Sequence, residues 1–377
     1  MTKPLLMTPG PTYVHQDVRK AMAEEITNPD LDQQFFDFYK ETCTRLQLLL
    51  KTQEDVLILD GEGILGLESA CASLIEPGDR VLCLDNGIFG RGFGDFAKMY
   101  GGEVVYYEVE NNHAIDPDRF KAFLEDNNDF KIATLVHCET PSGITNPIEE
   151  ICPLLKEYGI LTVVDSVSAI AGEELKTDEW GIDMVLGGSQ KAISAPPGLT
   201  FLSISHDAWE KILNRQVPIA GYYCNLANWK NWYDKKWFPY TQPISELYGF
   251  RVAVDRCLED VDMINRHTRI AGAVRSSLEK AGLELYPENG HSNTVTAVKI
   301  PNGVKWEDIN HNMLEDHNIM IAGSIASLEG KIFRIGHMGE NCHRDKVYKT
   351  LLALDRVLTD LGVVLEAGLA QTFKQIL

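Results

Sequence analysis

Residues 57–70 read LILDGEGILGLESA. An apolar run into Asp60 suits a buried strand, Gly61 and Gly63 suit a tight turn, and the apolar-periodic run from Ile64 suits a helix. Such a unit gathers free N–H groups and the positive end of a helix dipole at one point, which makes an anion site. Yet Glu62 sits inside the turn, where its charge would face a bound anion. The stretch sets the fold class and raises the question of what ligand the turn accepts.

The same rhythm continues outward. Strands are expected near 56–59, 80–84, 103–108, 132–136, 161–165, 183–187 and 199–204, with helices near 64–76, 89–100, 116–126, 147–158 and 206–213. Alternating βαβ units imply an α/β fold with a mainly parallel seven-stranded sheet, covered by helices on both faces. The run ILTVVD (160–165) suits a strand buried on both faces. In such sheets ligands sit at the carboxyl ends of strands. Residues 214–243 break the rhythm; YYCNLANWKNWYDKKWFPYTQP (222–243) reads either as a packed connection or as a subunit contact. A long helical stretch follows over 244–282, then strands near 293–300, 318–322 and 331–335 and a helix near 343–361. The expected organisation is an arm over 1–30, a large domain over 31–262 and a small C-terminal α+β domain over 263–377.

The 377 residues, 44% hydrophobic, are enough to bury a substantial core. A formal net charge of −20 argues against nucleic acid and anionic membranes as partners, though not against a small anionic substrate met by locally focused basic residues. The eight cysteines form no CxxC pair, so neither a disulfide framework nor a metal site is expected, and a cytoplasmic setting fits. No signal-peptide h-region and no apolar run of ~18 residues stands out.

Two further stretches carry chemistry. In GGSQKAISAPPG (187–198), Lys191 directly follows a buried strand end. Burying an ammonium is costly, so such a lysine is either a nucleophile of lowered pKa, suited to a Schiff base, or a salt-bridged edge residue. In ILTVVDSVSAI (160–170), Asp165 ends an apolar strand. It is either the partner of a pyridinium nitrogen or a backbone cap. A carboxylate and a lysine at the ends of neighbouring parallel strands are together what a pyridoxal cofactor requires.

On these residues the chain resembles the class V aminotransferases of the pyridoxal-phosphate (PLP) fold type I superfamily. The motifs run in family order: LLMTPGPT (5–12), GLESACASLIEPGD (66–79), DNGIFGRGFG (85–94), HCETPSGITNP (137–147), VVDSVSA (163–169), SQKAISAPPGL (189–199), FPYTQPISELYG (238–249) and FRIGHMG (333–339). The similarity lies with the branch that holds the alanine–glyoxylate, serine–pyruvate and pyridoxamine–pyruvate enzymes, nearest the last. It implies that Lys191 forms the Schiff base and carries the proton, and that Asp165 partners the pyridine nitrogen. It places Phe89 as the stacked aromatic and Thr140 against the phenolic oxygen. The alternatives are a core role for Phe89 and a turn role for Thr140. Further implied cofactor contacts are Glu62, Gly63, Ile64, Val167, Gln190 and Thr241. Arg334 would grip the substrate carboxylate, with a structural salt bridge as the alternative, and Pro9 and Gly10 would line the substrate side. The implied reaction moves an amino group from a small donor to pyruvate or glyoxylate. The implied cofactor is pyridoxal 5′-phosphate, in a homodimer whose Thr241 reaches across the interface.

The turn departs from the family. Relatives that hold a phosphate carry a Ser-Gly-His-like turn where this chain has Glu62, Gly63 and Ile64. A carboxylate ~4 Å from a phosphate is repelled by several kcal/mol at intermediate dielectric. Phe238 stands where many relatives have a tyrosine, although Gln190 and Thr241 keep the phosphate pattern. Either Glu62 turns aside and caps the helix start, or it accepts a hydrogen bond from a 5′-hydroxyl. The second choice resembles the pyridoxamine–pyruvate branch, in which unphosphorylated pyridoxamine is a substrate. In that branch a second arginine stands where this chain has Ile325. Two other classes compete: a lyase or desulfurase using Cys138 or Cys342, and a non-catalytic binding protein.

Overall fold

A computed structural model describes residues 3–377; the first two residues of the expected arm lie outside it. Seven strands form the main sheet: β1 (Asp55–Asp60), β2 (Arg80–Asp85), β3 (Glu103–Glu108), β4 (Ile132–Val136), β5 (Leu161–Asp165), β6 (Met184–Gly188) and β7 (Leu199–Ile204). Their spatial order is β1-β7-β6-β5-β4-β2-β3. All pairs not involving β7 are parallel, while β7 runs antiparallel to both β1 and β6. The reversal has a simple cause. Residues 189–198 join β6 to β7 without a helix, and a parallel crossover needs a dozen or so residues. Lys191 thus lies in the loop that turns the chain back.

Helices Gly63–Leu74, Ile88–Met99, Pro117–Asp126, Ile148–Glu157 and His206–Leu213 alternate with these strands, as the periodicity requires. Their starts are chemically marked. Asp116 accepts from the N–H groups of Asp118 and Arg119 with Pro117 in the first turn, and Ser205 accepts from Ala208.

Part of the aromatic segment is a packed connection. Trp229, Trp232 and Phe238 are buried against helix Gln33–Leu50, with Phe238 stacked on Phe36 at 4.7 Å. Tyr39 of that helix donates to the Ile58 carbonyl at 2.6 Å and accepts from the Ile58 N–H at 2.9 Å, which ties the cluster to β1. Tyr222, Tyr223 and Trp237 are exposed.

The stretch expected as one helix over 244–282 is two, Ile244–Glu259 and Met263–Lys280. Asp260 and Asp262 flank an exposed Val261 at the break, and aspartate competes with helical hydrogen bonds through its side chain. Each is then held by an arginine of the following helix, Arg266 at 2.6 Å and Arg269 at 2.7 Å. From Ile270 onward that helix packs into a second core with Phe333, Leu351 and Phe373. A three-stranded antiparallel sheet lies there: β8 (Val295–Lys299), β9 (Ala322–Gly323) and β10 (Ile332–Gly336), in the order β8-β10-β9. The strand expected over 318–322 is split, because Ile319–Met320 pairs in parallel with Leu5–Leu6 and only Ala322–Gly323 joins β10. The N-terminal segment therefore bonds to the C-terminal layer first and meets the β6–β7 loop afterwards, where Thr12 donates to the Gln190 carbonyl at 3.1 Å. No helix of the described residues is long and apolar enough to cross a membrane.

Candidate active site

Asp165 closes β5, and its buried carboxylate accepts a 2.9 Å bond from the Val167 N–H. Burial pushes its pKa up to about 6, against the pull of that N–H and of Lys191. One strand over, the loop after β6 presents Lys191. Its Nζ donates to the Pro9 carbonyl at 2.7 Å. The N-terminal segment can pass this close only because residue 10 is glycine. It sits at φ +96°, and a Cβ there would lie 2.5 Å from Lys191 Cδ. Burial, and then the nearby Arg334, lower the Lys191 pKa to about 8. The amine is therefore far nearer its neutral, nucleophilic form than an exposed lysine is.

Arg334 is brought in by β10. Its Nε donates to the Gly323 carbonyl at 2.7 Å and Nη1 to the Thr140 carbonyl at 3.1 Å. Burial alone lowers its pKa to about 10. The salt-bridge alternative has no partner among the described residues. A partly buried guanidinium held only by carbonyls keeps its charge uncompensated and retains free donors for a carboxylate.

Thr140 is buried, with its hydroxyl bonded to that of Ser168. The preceding residue, Glu139, was not singled out from the sequence, although it stands inside the motif HCETPSG. It is fully buried, and Oε1 accepts from the Gly90 N–H at 2.6 Å. Burial raises its pKa to about 8. A Cβ on Gly87 would sit 2.5 Å from the Glu139 carboxyl carbon, so glycine is needed where Phe89 enters its helix. Glu139 thereby fixes the start of the Phe89 helix relative to Thr140. The available signal was an acid between a buried strand and a Thr-Pro turn, where a carboxylate requires a specific partner.

At the turn after β1, Glu62 is the N-cap of helix Gly63–Leu74. Oε1 accepts from the Ile64 N–H at 3.1 Å, and Oε2 lies 3.4 Å from Gln190 Nε2. The helix-start N–H of Ile64 is thus already occupied by a carboxylate. Gln190 Oε1 is buried with no partner among the described residues. Val167 closes on Gly63, where a Cβ would meet its Cγ2 at 3.0 Å. Ile64 is itself exposed. Thr241 is exposed and hydrogen-bonds to none of these residues, and Phe238 is committed to the aromatic cluster. The structure therefore gathers Glu62, Gly63, Val167, Asp165, Gln190, Lys191, Pro9 and Gly10 into one neighbourhood. Arg334 bonds to Thr140 beside it, and Thr241 stands apart.

The two cysteines weighed for desulfurase chemistry are buried. Cys138 bonds to Ser292 at 3.2 Å, and burial pushes both thiols up to about 12. That burial disfavours the thiolate such chemistry needs. No group of three or more potential metal ligands occurs among the described residues.

Comparison with known proteins identifies the family and the fold. The chain is 35% identical to an uncharacterised aminotransferase of Methanocaldococcus jannaschii, over 100% of this chain and 98% of that one. It is 31% identical to the pyridoxamine–pyruvate transaminase of Mesorhizobium japonicum, over 97% and 94%. The crystal structure of ureidoglycine–glyoxylate aminotransferase from Bacillus subtilis superposes with a TM-score of 0.95 at 31% identity, covering 100% of this chain and 98% of that one. The α/β architecture is that of the PLP fold type I aminotransferases. The aminotransferase class V family matches residues 5–349, and the chain belongs to that family as a transaminase.

Proposed function

We propose that this chain moves an amino group from a small amino donor to a short 2-oxo acid, pyruvate or glyoxylate, by way of a pyridoxal group attached at Lys191. The observation that carries the reading is Arg334, a partly buried guanidinium bonded to two carbonyls and to no acid among the described residues. A 2-oxo acid and the amino acid it becomes share one carboxylate, and a planar fork can hold it through both half-reactions. The activities of the two relatives, pyridoxamine–pyruvate and ureidoglycine–glyoxylate transamination, support short oxo acids as acceptors.

The residues fit a pyridoxal ring. Asp165 accepts from one N–H and has capacity left for a ring N–H, Lys191 is partly buried with a lowered pKa, and the Phe89 helix is anchored through Glu139. When bound, the group supplies an aldehyde for the amino nitrogen and a ring that takes up the electrons of the substrate Cα–H bond. The chain supplies the rest. Asp165 keeps the proton on the ring nitrogen. Lys191 Nζ, about half neutral at pH 8, would take the Cα proton and deliver it to the pyridoxal carbon that bears the amino nitrogen. Arg334 fixes the carboxylate so that this proton faces the amine. Arg334→Gln is expected to raise KM for the oxo acid by about 10²-fold, from two charge-assisted bonds lost, while the bound-cofactor absorbance is unchanged. Steady-state kinetics beside a spectrum checks this, and an unmoved KM would remove the reading.

A second reading rests on Glu62. A carboxylate that already holds the Ile64 N–H suits a 5′-hydroxyl better than a 5′-phosphate, which makes free pyridoxamine the donor and pyruvate the acceptor. Serine keeps the helix cap without the charge. Glu62→Ser is expected to tighten pyridoxal phosphate binding about tenfold and to lower pyridoxamine turnover, read by cofactor fluorescence and a pyridoxamine–pyruvate assay. Unchanged pyridoxamine turnover would sink this second reading.

The enzyme works as a homodimer on either reading. Thr241 is exposed in its own chain, and Tyr222, Tyr223 and Trp237 offer exposed aromatic surface of the kind that interfaces cover. Sedimentation is expected to show a dimer, and a stable, active monomer would contradict it.

A further inference from the structure

The chain carries a net charge of −20 and 55 acidic side chains, so a cluster of cations with no acid among its lining stands out. A groove of about 610 Å³ runs between the N-terminal segment and helix Arg344–Asp360. Lys346, Lys349 and Arg356 project from one face of that helix, and Lys3 faces them from the arm. No aspartate or glutamate lines the groove, and none of the four forms an ion pair among the described residues. Lys346 is partly buried, donates to the Glu340 carbonyl and lies 4.4 Å over the Tyr13 ring. Leu5 and Leu352 give the groove an apolar wall.

Four like charges around a partly apolar cleft repel one another and focus positive potential into it, at a cost that a bound anion offsets. The volume lies within the range of small-molecule sites. Lysine and arginine are the side chains that hold phosphate and carboxylate groups. The apolar wall and the Tyr13 ring give purchase to a body that bears those groups. None of Lys191, Asp165 and Arg334 lines the groove, so it is separate from the transamination site.

We propose that this groove binds a small organic polyanion, an apolar or aromatic body carrying two or more phosphate or carboxylate groups. The site ties the N-terminal segment, which reaches Lys191 through Pro9, to helix Arg344–Asp360.

Isothermal titration of the full chain with its cofactor bound tests the proposal, with ADP, citrate and adenosine as probes. ADP or citrate is expected to bind with one-to-one stoichiometry and to weaken as salt is added, while adenosine gives no heat. Which of the two binds tells phosphate from carboxylate recognition. Lys349 and Arg356 are both exposed, so the double variant Lys349→Gln/Arg356→Gln is expected to fold normally by circular dichroism. It should weaken binding about tenfold or more, equivalent to about 1.4 kcal/mol. Arg334→Gln is expected to leave the affinity unchanged. Absence of heat from both anions, or loss of binding in Arg334→Gln with retention in the double variant, overturns the proposal.

Discussion

Replacing Lys191 with alanine is expected to lower kcat roughly 10⁴-fold, the upper range for a positioned proton carrier, with covalent attachment lost as well. On the proposed Schiff-base reading, the parent should show a yellow chromophore that borohydride bleaches, and the variant should not. The same substitution should not unfold the protein, and the sign follows from the lysine's own titration. Burial lowers its pKa from 10.5 to about 8, so between those values the unfolded chain binds more protons than the folded one. Stability therefore rises with pH across that window, and below it the buried ammonium is a constant penalty. Alanine removes the penalty along with the bond to Pro9. Thermal unfolding of Lys191→Ala at neutral pH is expected at or above the parental temperature. A marked fall would mean that the lysine holds the fold together and that its lowered pKa is incidental.

What the sequence made legible follows from period and from local chemistry. Apolar runs such as LTVVD place β5 within a residue, because a strand buried on both faces leaves no polar position to blur it. Lys191 and Asp165 stood out because charged residues at apolar strand ends need a reason. What stayed hidden depends on contacts distant in the chain. The bond from Lys191 to Pro9 spans 182 positions, and that from Arg334 to the Thr140 carbonyl spans 194. No local pattern reports either. Glu139 was missed because its partner, the Gly90 N–H, leaves no mark on composition. The break at Asp260–Asp262 was readable in principle, since two aspartates two positions apart favour caps over helix, but apolar periodicity continued on both sides and carried the longer reading. The turn at Glu62 is the reverse case. The sequence posed two roles, and the structure shows one carboxylate capping Ile64 while still facing Gln190.

The other large effect is expected at Asp165. Changing it to asparagine preserves shape and the acceptor that meets the Val167 N–H, but it removes the charge that would hold a proton on a ring nitrogen. In a water-poor site a fixed charge aimed at that atom is worth far more than in solvent, and the loss in kcat should be about 10²-fold or greater. Stability should respond in the opposite sense. Burial raises the Asp165 pKa from 3.8 to about 6, so in that window the folded protein without a ligand binds more protons than the unfolded chain. Stability then falls as pH rises from 3.8 through 6, and the penalty persists at neutral pH. Asparagine does not carry it. The cofactor-free variant is therefore expected to be at least as resistant to urea at pH 7 as the parent, with the difference vanishing in acid. A bound ring N–H would compensate the parental carboxylate and not the amide, so cofactor should stabilise the parent more than Asp165→Asn. Full activity in Asp165→Asn, or equal stabilisation of both proteins by cofactor, would show that Asp165 serves the backbone turn at Val167 rather than a charged ring.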